Sequence, residues 1–367
     1  MTTHRPWLRA LAIAGASALA LAGCSTSNSS DGDADAQQNT SEESAESPDT
    51  TDGASIVVLS HDSFDFPEEL LDKFTEDTGI EVSIQQVGDG GELANQLVLT
   101  KDAPLGDVVY GLDNTVSYRL SGEGVIADAG VTSPNAELDF AGEPGLIPID
   151  QGDVCVNLDK TWFDEKGLEY PATFEDLTKS EYKDLMVAMN PASSTPGMAF
   201  MLATIEHFGE DGWVQYWKDL KTNGVKITNG WSDAFSVDYS AGEGEGPYPM
   251  MVSYGSSPAY SVTEDGNDTT TTALPETCYR QVEYAGVISG SENEAAAAEF
   301  VEYMLTAPVQ EAISEVTYMF PTTNDAKAPE DLTTFGPLAD KIRQLPADQI
   351  AENAETWLRT WQSEVIG

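Results

Sequence analysis

Basic residues are scarce. Lys and Arg together number 17 against 63 Asp and Glu, a formal net charge of −46 over 367 residues. So acidic a chain repels a phosphate backbone, which argues against nucleic acid and favours cationic ligands; a solvated acidic surface accounts for most of the charge. Histidine is nearly absent: His4, His61 and His207 are the only three, too scattered for a metal cluster. There is no Cys-x-x-Cys, no His-Glu-x-x-His, no Gly-x-Ser-x-Gly and no Walker loop. The glycine-rich piece 242–246 carries acidic side chains and reads as a surface loop, not a phosphate cradle. These gaps lean away from catalysis and toward binding, with no cofactor implied. No internal repeat is visible.

The one long apolar stretch, Leu8 to Leu21, is too short and too rich in small residues for a comfortable membrane span. It follows His4 and Arg5, includes Arg9, and ends in Leu21-Ala22-Gly23-Cys24. That ending resembles the lipobox of bacterial lipoproteins. The resemblance implies a signal peptide at 1–23, lipidation of Cys24, and a protein anchored by lipid outside the cytoplasmic membrane. Residues 24–53 are almost wholly polar and acidic, cannot bury enough surface to offset their ordering entropy, and read as a disordered tether.

The rest is long enough for two lobes. Ser55 to Ser60 is a short β-branched run, a strand buried on both faces. Pro67 opens an amphipathic helix to about Thr78, Ile80 to Val87 alternates as a strand, 92–100 is helical, and Asp107 to Gly111 is a third strand. This alternation predicts a mostly parallel α/β sheet with ligands beyond the carboxyl ends of its strands, where His61 to Phe64, Gly88 to Gly91 and Asp113-Asn114 fall. Two extended stretches, Ile147 to Leu158 and Gln281 to Ile288, are expected to carry the chain out and back. That gives lobe I at 54–150 and 280–367, lobe II at 151–279, and a hinged cleft between them. Helices are expected at Glu292 to Leu305 and Asp348 to Ile366.

Candidate ligand groups gather around two helix starts. Thr195 is read as an N-cap before Pro196, and Ser257 as the cap of a segment beginning at Pro258; free N–H groups at such ends favour an anion. Trp231, in a turn-like Asn-Gly-Trp-Ser, and Tyr254, Tyr260 and Tyr318 offer aromatic faces for a cation, worth roughly 0.5–2 kcal/mol. Asp62, Asp89 and Asp113 add negative charge. A ligand with a flat cationic head and a hydroxyl or phosphate tail suits all three features. Cys155 and Cys278 remain, and an oxidising compartment favours a disulfide between them, with free thiols as the alternative.

Across essentially the whole body from about Ile56, the sequence resembles the thiamine-binding extracytoplasmic proteins, substrate-binding subunits of thiamine ABC importers. The pieces that carry the likeness are His61-Asp62-Ser63-Phe64, Asp89-Gly90, Gly111-Leu112-Asp113-Asn114, Ser194-Thr195-Pro196-Gly197, Gly230-Trp231-Ser232, Tyr254-Gly255-Ser256-Ser257-Pro258-Ala259-Tyr260 and Met319-Phe320-Pro321. The resemblance implies a two-lobed type II periplasmic-binding-protein fold with mixed sheets and a hinge. It also implies a monomer that closes on thiamine or its mono- or diphosphate and delivers it to a membrane permease. Asp89, Gly90, Ser194, Thr195, Trp231 and Tyr254 to Pro258 match the family's ligand-contacting positions, and Tyr260 and Tyr318 its stacking aromatics. His61 stands where the family often has tyrosine, Tyr318 where it often has tryptophan, and Gln151 replaces an aromatic near the hinge.

Two other readings compete. A receptor of the same fold for polyamine or ferric iron is one, although a ferric site commonly uses paired tyrosines and no adjacent Tyr-Tyr occurs. A thiaminase-like enzyme using Cys155 as nucleophile is the other; a bond to Cys278 leaves it no thiolate.

Overall fold

The structure, a computed structural model, describes residues 53–341 and 343–367. The chain clusters into Met1–Pro48 and Asp49–Gly367, and every described residue falls in the second unit. The signal peptide, Cys24 and all of the tether but Gly53 lie outside the described residues. No helix among the described residues is long and apolar enough to cross a membrane.

The order is β1 (Ser55–His61), α1 (Glu68–Thr78), β2 (Glu81–Gly88), α2 (Gly90–Leu99), β3 (Val108–Asp113), β4 (Ile147–Asp159), α3 (Lys160–Lys166) and β5 (Met186–Met189). Then come α4 (Thr195–Thr222), β6 (Lys226–Thr228), α5 (Trp231–Asp233, continued by a π turn), β7 (Met250–Tyr254), α6 (Ser257–Tyr260) and β8 (Thr271–Val287). The chain closes with α7 (Glu294–Met304), α8 (Ala307–Thr317), β9 (Phe320–Pro321), α9 (Glu330–Phe335) and α10 (Ala347–Trp361).

One sheet runs β2-β1-β3-β8-β4-β7-β5-β6, with β9 beside β4. It is mixed. The parallel pairs expected from strand–helix alternation are present at β1–β2 and β1–β3, and again at β5–β6 and β5–β7. Between these parallel groups the long strands β4 and β8 pair antiparallel with each other, from Ile147 opposite Ala285 to Asp159 opposite Thr271. Only the last residues of β8 also border β3, and only the last residues of β4 border β7.

Burial explains the local pattern. Val58, Val108, Tyr110 and Val287 are covered by helices and join Phe74 of α1 and Phe300 of α7 in one core. The other core is built on α4, whose Trp217 meets Trp361 of α10 edge to face at 5.6 Å. β2 borders a single strand, and its alternating exposure fits a strand at the sheet margin.

Three local expectations shift. The third strand continues to Asp113, because Gly111 at φ 93 introduces a bulge against β8 instead of ending the pairing. The cap of α4 is Ser194, not Thr195: its hydroxyl accepts the Gly197 N–H at 3.3 Å, and Pro196 sits at the second helical position. Ser257 likewise lies inside α6; Ser256 precedes the helix and makes no side-chain capping bond. Helix α4 is broken at Gly209 by non-helical backbone (φ 69, ψ 175).

Candidate functional site

Parallel strands β1, β2 and β3 end side by side, so the loops after them meet. His61 closes β1, Asp89 follows β2 as the residue before α2, and Asp113 closes β3. The expected grouping at these strand ends is therefore present. His61 packs where it does because residue 111 has no side chain: a Cβ on Gly111 would overlap the imidazole ring. Its Nδ1 meets Ser63 Oγ at 2.9 Å, and its Nε2 lies 3.5 Å from Glu283 Oε2, an ion-pair distance without a formed hydrogen bond.

Asp89 joins distant parts of the chain. Its Oδ1 accepts the Thr195 N–H at 2.8 Å, and its Oδ2 accepts the Trp231 N–H at 3.0 Å. Glu92 N–H reaches Ser193 O at 3.2 Å beside it. The approach requires glycine: a Cβ on Gly91 would press into the Ser193 backbone, and one on Gly90 into Thr195 and the Gly111 carbonyl. Nearer the surface, the Ser232 hydroxyl donates to Asp62 Oδ1 at 3.1 Å.

These bonds revise the expected role of the α4 start. Thr195 N–H points at Asp89, Pro196 has no N–H, Gly197 N–H is held by Ser194 Oγ, and Met198 N–H by Ser194 O. The protein's own carboxylate is thus the anion at that helix end, as the helix dipole favours. Ser194 and Thr195 are buried beneath it.

Aromatic rings continue from there. Trp231 stacks on Phe235 (4.8 Å, 10° between planes) and donates its indole N–H to Ser253 Oγ at 3.0 Å, which meets Ser257 Oγ at 3.0 Å. Tyr254 lies 6.0 Å from Trp231, Phe235 meets Tyr260 edge-on at 6.1 Å, and Tyr260 meets Tyr318 at 5.7 Å and 88°. The run therefore joins Trp231, Tyr254, Tyr260 and Tyr318 as expected, with Gly255, Ser256 and Pro258 forming the turn between Tyr254 and Tyr260. Phe235 was not anticipated, although its four-residue spacing from Trp231 is the signal for a shared helical face. Tyr260 is 58 % exposed, and Tyr318 ends α8 in the left-handed region (φ 57).

Beneath lies buried acid, of which Asp113 is an expected site residue while Asp150 and Glu283 escape motif reading. Asp113 and Asp150 each sit opposite Glu283 in the strand register, and all three are nearly or wholly inaccessible. Tyr110 donates its hydroxyl hydrogen to Asp150 Oδ2, and Gln281 Nε2 donates to Glu283 Oε1 at 3.2 Å. Asp113 Oδ1 accepts from the Thr115 N–H and hydroxyl and from the Val116 N–H. Burial lifts the Asp113 carboxyl to about 7, with Glu283 adding to the rise and the Thr115 and Val116 donors opposing it. Burial, then Glu283, holds Asp150 well above the carboxylate range. Burial also raises Asp89, against the pull of Thr195, Ser194, Trp231 and His61. For His61, burial acts to lower the pKa, but Glu283, then Asp89 and Asp62, outweigh it and leave the imidazole above its ordinary value. A polar residue inside an otherwise apolar strand was the available signal, but only the register shows the acids meeting.

Cys155 and Cys278 are bonded, tying β4 to β8 beside Gly255. No thiolate is available at Cys155. Among the described residues no group of three or more His, Cys, Asp or Glu side chains could hold a metal ion.

Comparison with known proteins agrees with this architecture. The family model for bacterial extracellular solute-binding proteins matches residues 69–338. The chain is 29% identical over 321 residues to the thiamine-binding periplasmic protein of Escherichia coli, covering 84% of this chain and 93% of that one. It is 26% identical over 317 residues to the thiamine-binding periplasmic protein of Brucella melitensis, covering 83% and 90%. A solved periplasmic thiamin binding protein superposes with a TM-score of 0.74 at 26% identity, covering 85% of this chain and 96% of that one. The ferric binding protein from Campylobacter jejuni shares the fold, with a TM-score of 0.65 at 20% identity over 84% and 99% of the two chains. The chain belongs to the bacterial extracellular solute-binding proteins.

Proposed function

We propose that this solute-binding protein captures thiamine, free or phosphorylated, in the cleft around Trp231 and presents it to the permease of an ABC importer. The observation that carries this reading is the run of rings from Trp231 through Phe235 and Tyr260 to Tyr318, set above buried carboxylates of which Glu283 has His61 as its cationic partner. A flat, permanently cationic ring system gains from both, by stacking and by charge. The similarity to two thiamine-binding periplasmic proteins supports the same ligand. The ligand's tail is best served by the hydroxyls of Ser256 and Ser257 and the backbone around Gly255, since the N–H groups at the α4 start already have partners.

Lobe I (54–150 and 280–367) and lobe II (151–279) are the bodies that close. The β4–β8 pair serves as the hinge, and the Asp89–Thr195, Asp89–Trp231 and Asp62–Ser232 bonds hold the closed state. The mature protein works as a monomer on a lipid anchor at Cys24. Capture is binding without turnover.

Titration calorimetry of the purified chain with thiamine, its monophosphate and its diphosphate tests the reading, with spermidine and ferric citrate as competing ligands. Saturable binding of a thiamine form is expected, weakened at least tenfold by Trp231→Ala. Binding of spermidine or iron with no response to any thiamine form would replace it with the polyamine or ferric reading.

A further inference from the structure

The buried acids need an account that structural packing does not supply. Asp113 on β3, Glu283 on β8 and Asp150 on β4 occupy facing register positions on three adjacent strands, and directly opposed residues lie on one face of a sheet. All three are 5 % exposed or less. The groups around them are His61 from β1, Asp89 from the start of α2, Tyr110 from β3, Tyr254 from β7, and Tyr279 and Tyr284 from β8, which lie near Asp113. Of these only His61 can carry positive charge, and it is matched to Glu283. Arg280 projects to the other face of β8 and is engaged by Asp153. Three full negative charges at cross-strand separation and away from water are not sustained; buried like charges share protons instead. Four polar atoms around the row, Asp113 Oδ2, Asp150 Oδ1, Gln281 Oε1 and His61 Nε2, are buried without a hydrogen-bond partner.

We propose that the row Asp113–Glu283–Asp150 holds a proton in the empty cleft and gives it up when a permanently cationic ligand binds above it, so that capture of the cation is linked to proton release. This rests on the thiamine reading of the site and adds its regulation. The incoming charge stabilises the ionised row, and the ionised row stabilises the incoming charge; by reciprocity the two couplings are equal. Burial and Glu283 place the Asp113 carboxyl near neutrality, where such an exchange has its greatest effect. Affinity for the cation therefore rises with pH from about 5 to 8 and falls in acid, approaching tenfold per pH unit if one whole proton is exchanged.

Calorimetry of the full chain with thiamine at pH 7, in phosphate and in Tris, reads the proton directly, because the two buffers differ in ionisation enthalpy. The expected result is a buffer-dependent heat corresponding to between about 0.3 and 1 proton released per thiamine, with a matching slope of affinity on pH. Asp113→Asn and Asp150→Asn are each isosteric and remove one ionisable member; release should fall in at least one of them and persist in His61→Gln. Thiamine binding with the same heat in both buffers would overturn the proton linkage and leave the thiamine reading intact. Absence of thiamine binding at every pH would overturn the reading itself. Release unchanged in both Asn variants, or lost only in His61→Gln, would move the proton to the imidazole and end the proposal.

Discussion

Asp89 and Trp231 lie 142 residues apart, yet the carboxylate of one accepts the backbone N–H of the other at 3.0 Å while also holding Thr195. One side chain thus orients the aromatic ring of the site and seals the start of α4.

Asp89→Ala removes the acceptor from two backbone N–H groups, and burial of Asp89 leaves little water to replace it. The expected loss is about 2–4 kcal/mol of stability by urea denaturation. Asp89→Asn keeps one oxygen and should lose less. A loss below roughly 0.5 kcal/mol for the alanine variant would show that these groups rehydrate freely.

Asp113 gives a stability prediction of opposite sign to the common acid case. Its folded pKa, about 7, is above the unfolded value. Between those values the folded state holds the proton more tightly, so this group's contribution falls as pH rises from about 4 to 7. Asp113→Asn retains the Oδ1 acceptor used by Thr115 and Val116 and places an amide at the unpartnered oxygen. Relative to the parent it should gain stability at pH 8 over pH 5, by up to about 3 kcal/mol. Parallel urea titrations of both proteins at the two pH values measure the difference; an equal offset at both would contradict it.

His61 should titrate above 6.5, since Glu283, Asp89 and Asp62 together outweigh the lowering effect of burial. Its contribution to stability is complete below the unfolded pKa and is lost as pH rises through the folded one. Glu283→Gln leaves burial as the largest influence, so the imidazole midpoint in an NMR titration should drop. An unmoved midpoint would mean that Glu283 is not its main partner.

The Cys155–Cys278 bond closes a loop across a sequence separation of 123 residues between the two longest strands. Replacing both with Ala should cost about 2–4 kcal/mol in denaturant unfolding. Unreduced protein should show neither thiol to Ellman's reagent. Cleavage of thiamine by this chain would contradict the bonded arrangement.

Much of this was readable from residue order. Strand β1, helix α1 and the loops at the ends of β1, β2 and β3 follow from β-branched runs, apolar spacing and turn residues, all short-range signals. Thr195 and Ser257 were placed one position off because Ser and Thr both cap well, and geometry decides between adjacent hydroxyls. The Ser194-Thr195 segment looked like an open anion site because no local rule reveals that a carboxylate 106 residues earlier will fill it. Glu283 and Asp150 were hidden for the same reason. Each is one polar residue in an extended stretch, and what matters about them is which residue sits opposite.

Gly111 shows how far such dependence extends. Its backbone, at φ 93, both bends β3 and leaves room for the ring of His61. Alanine there would evict the imidazole from its place beside Glu283. An empty volume the size of a methyl group therefore governs which charge stands beside Glu283, and the protonation of a buried cluster can be retuned from a neighbouring backbone position.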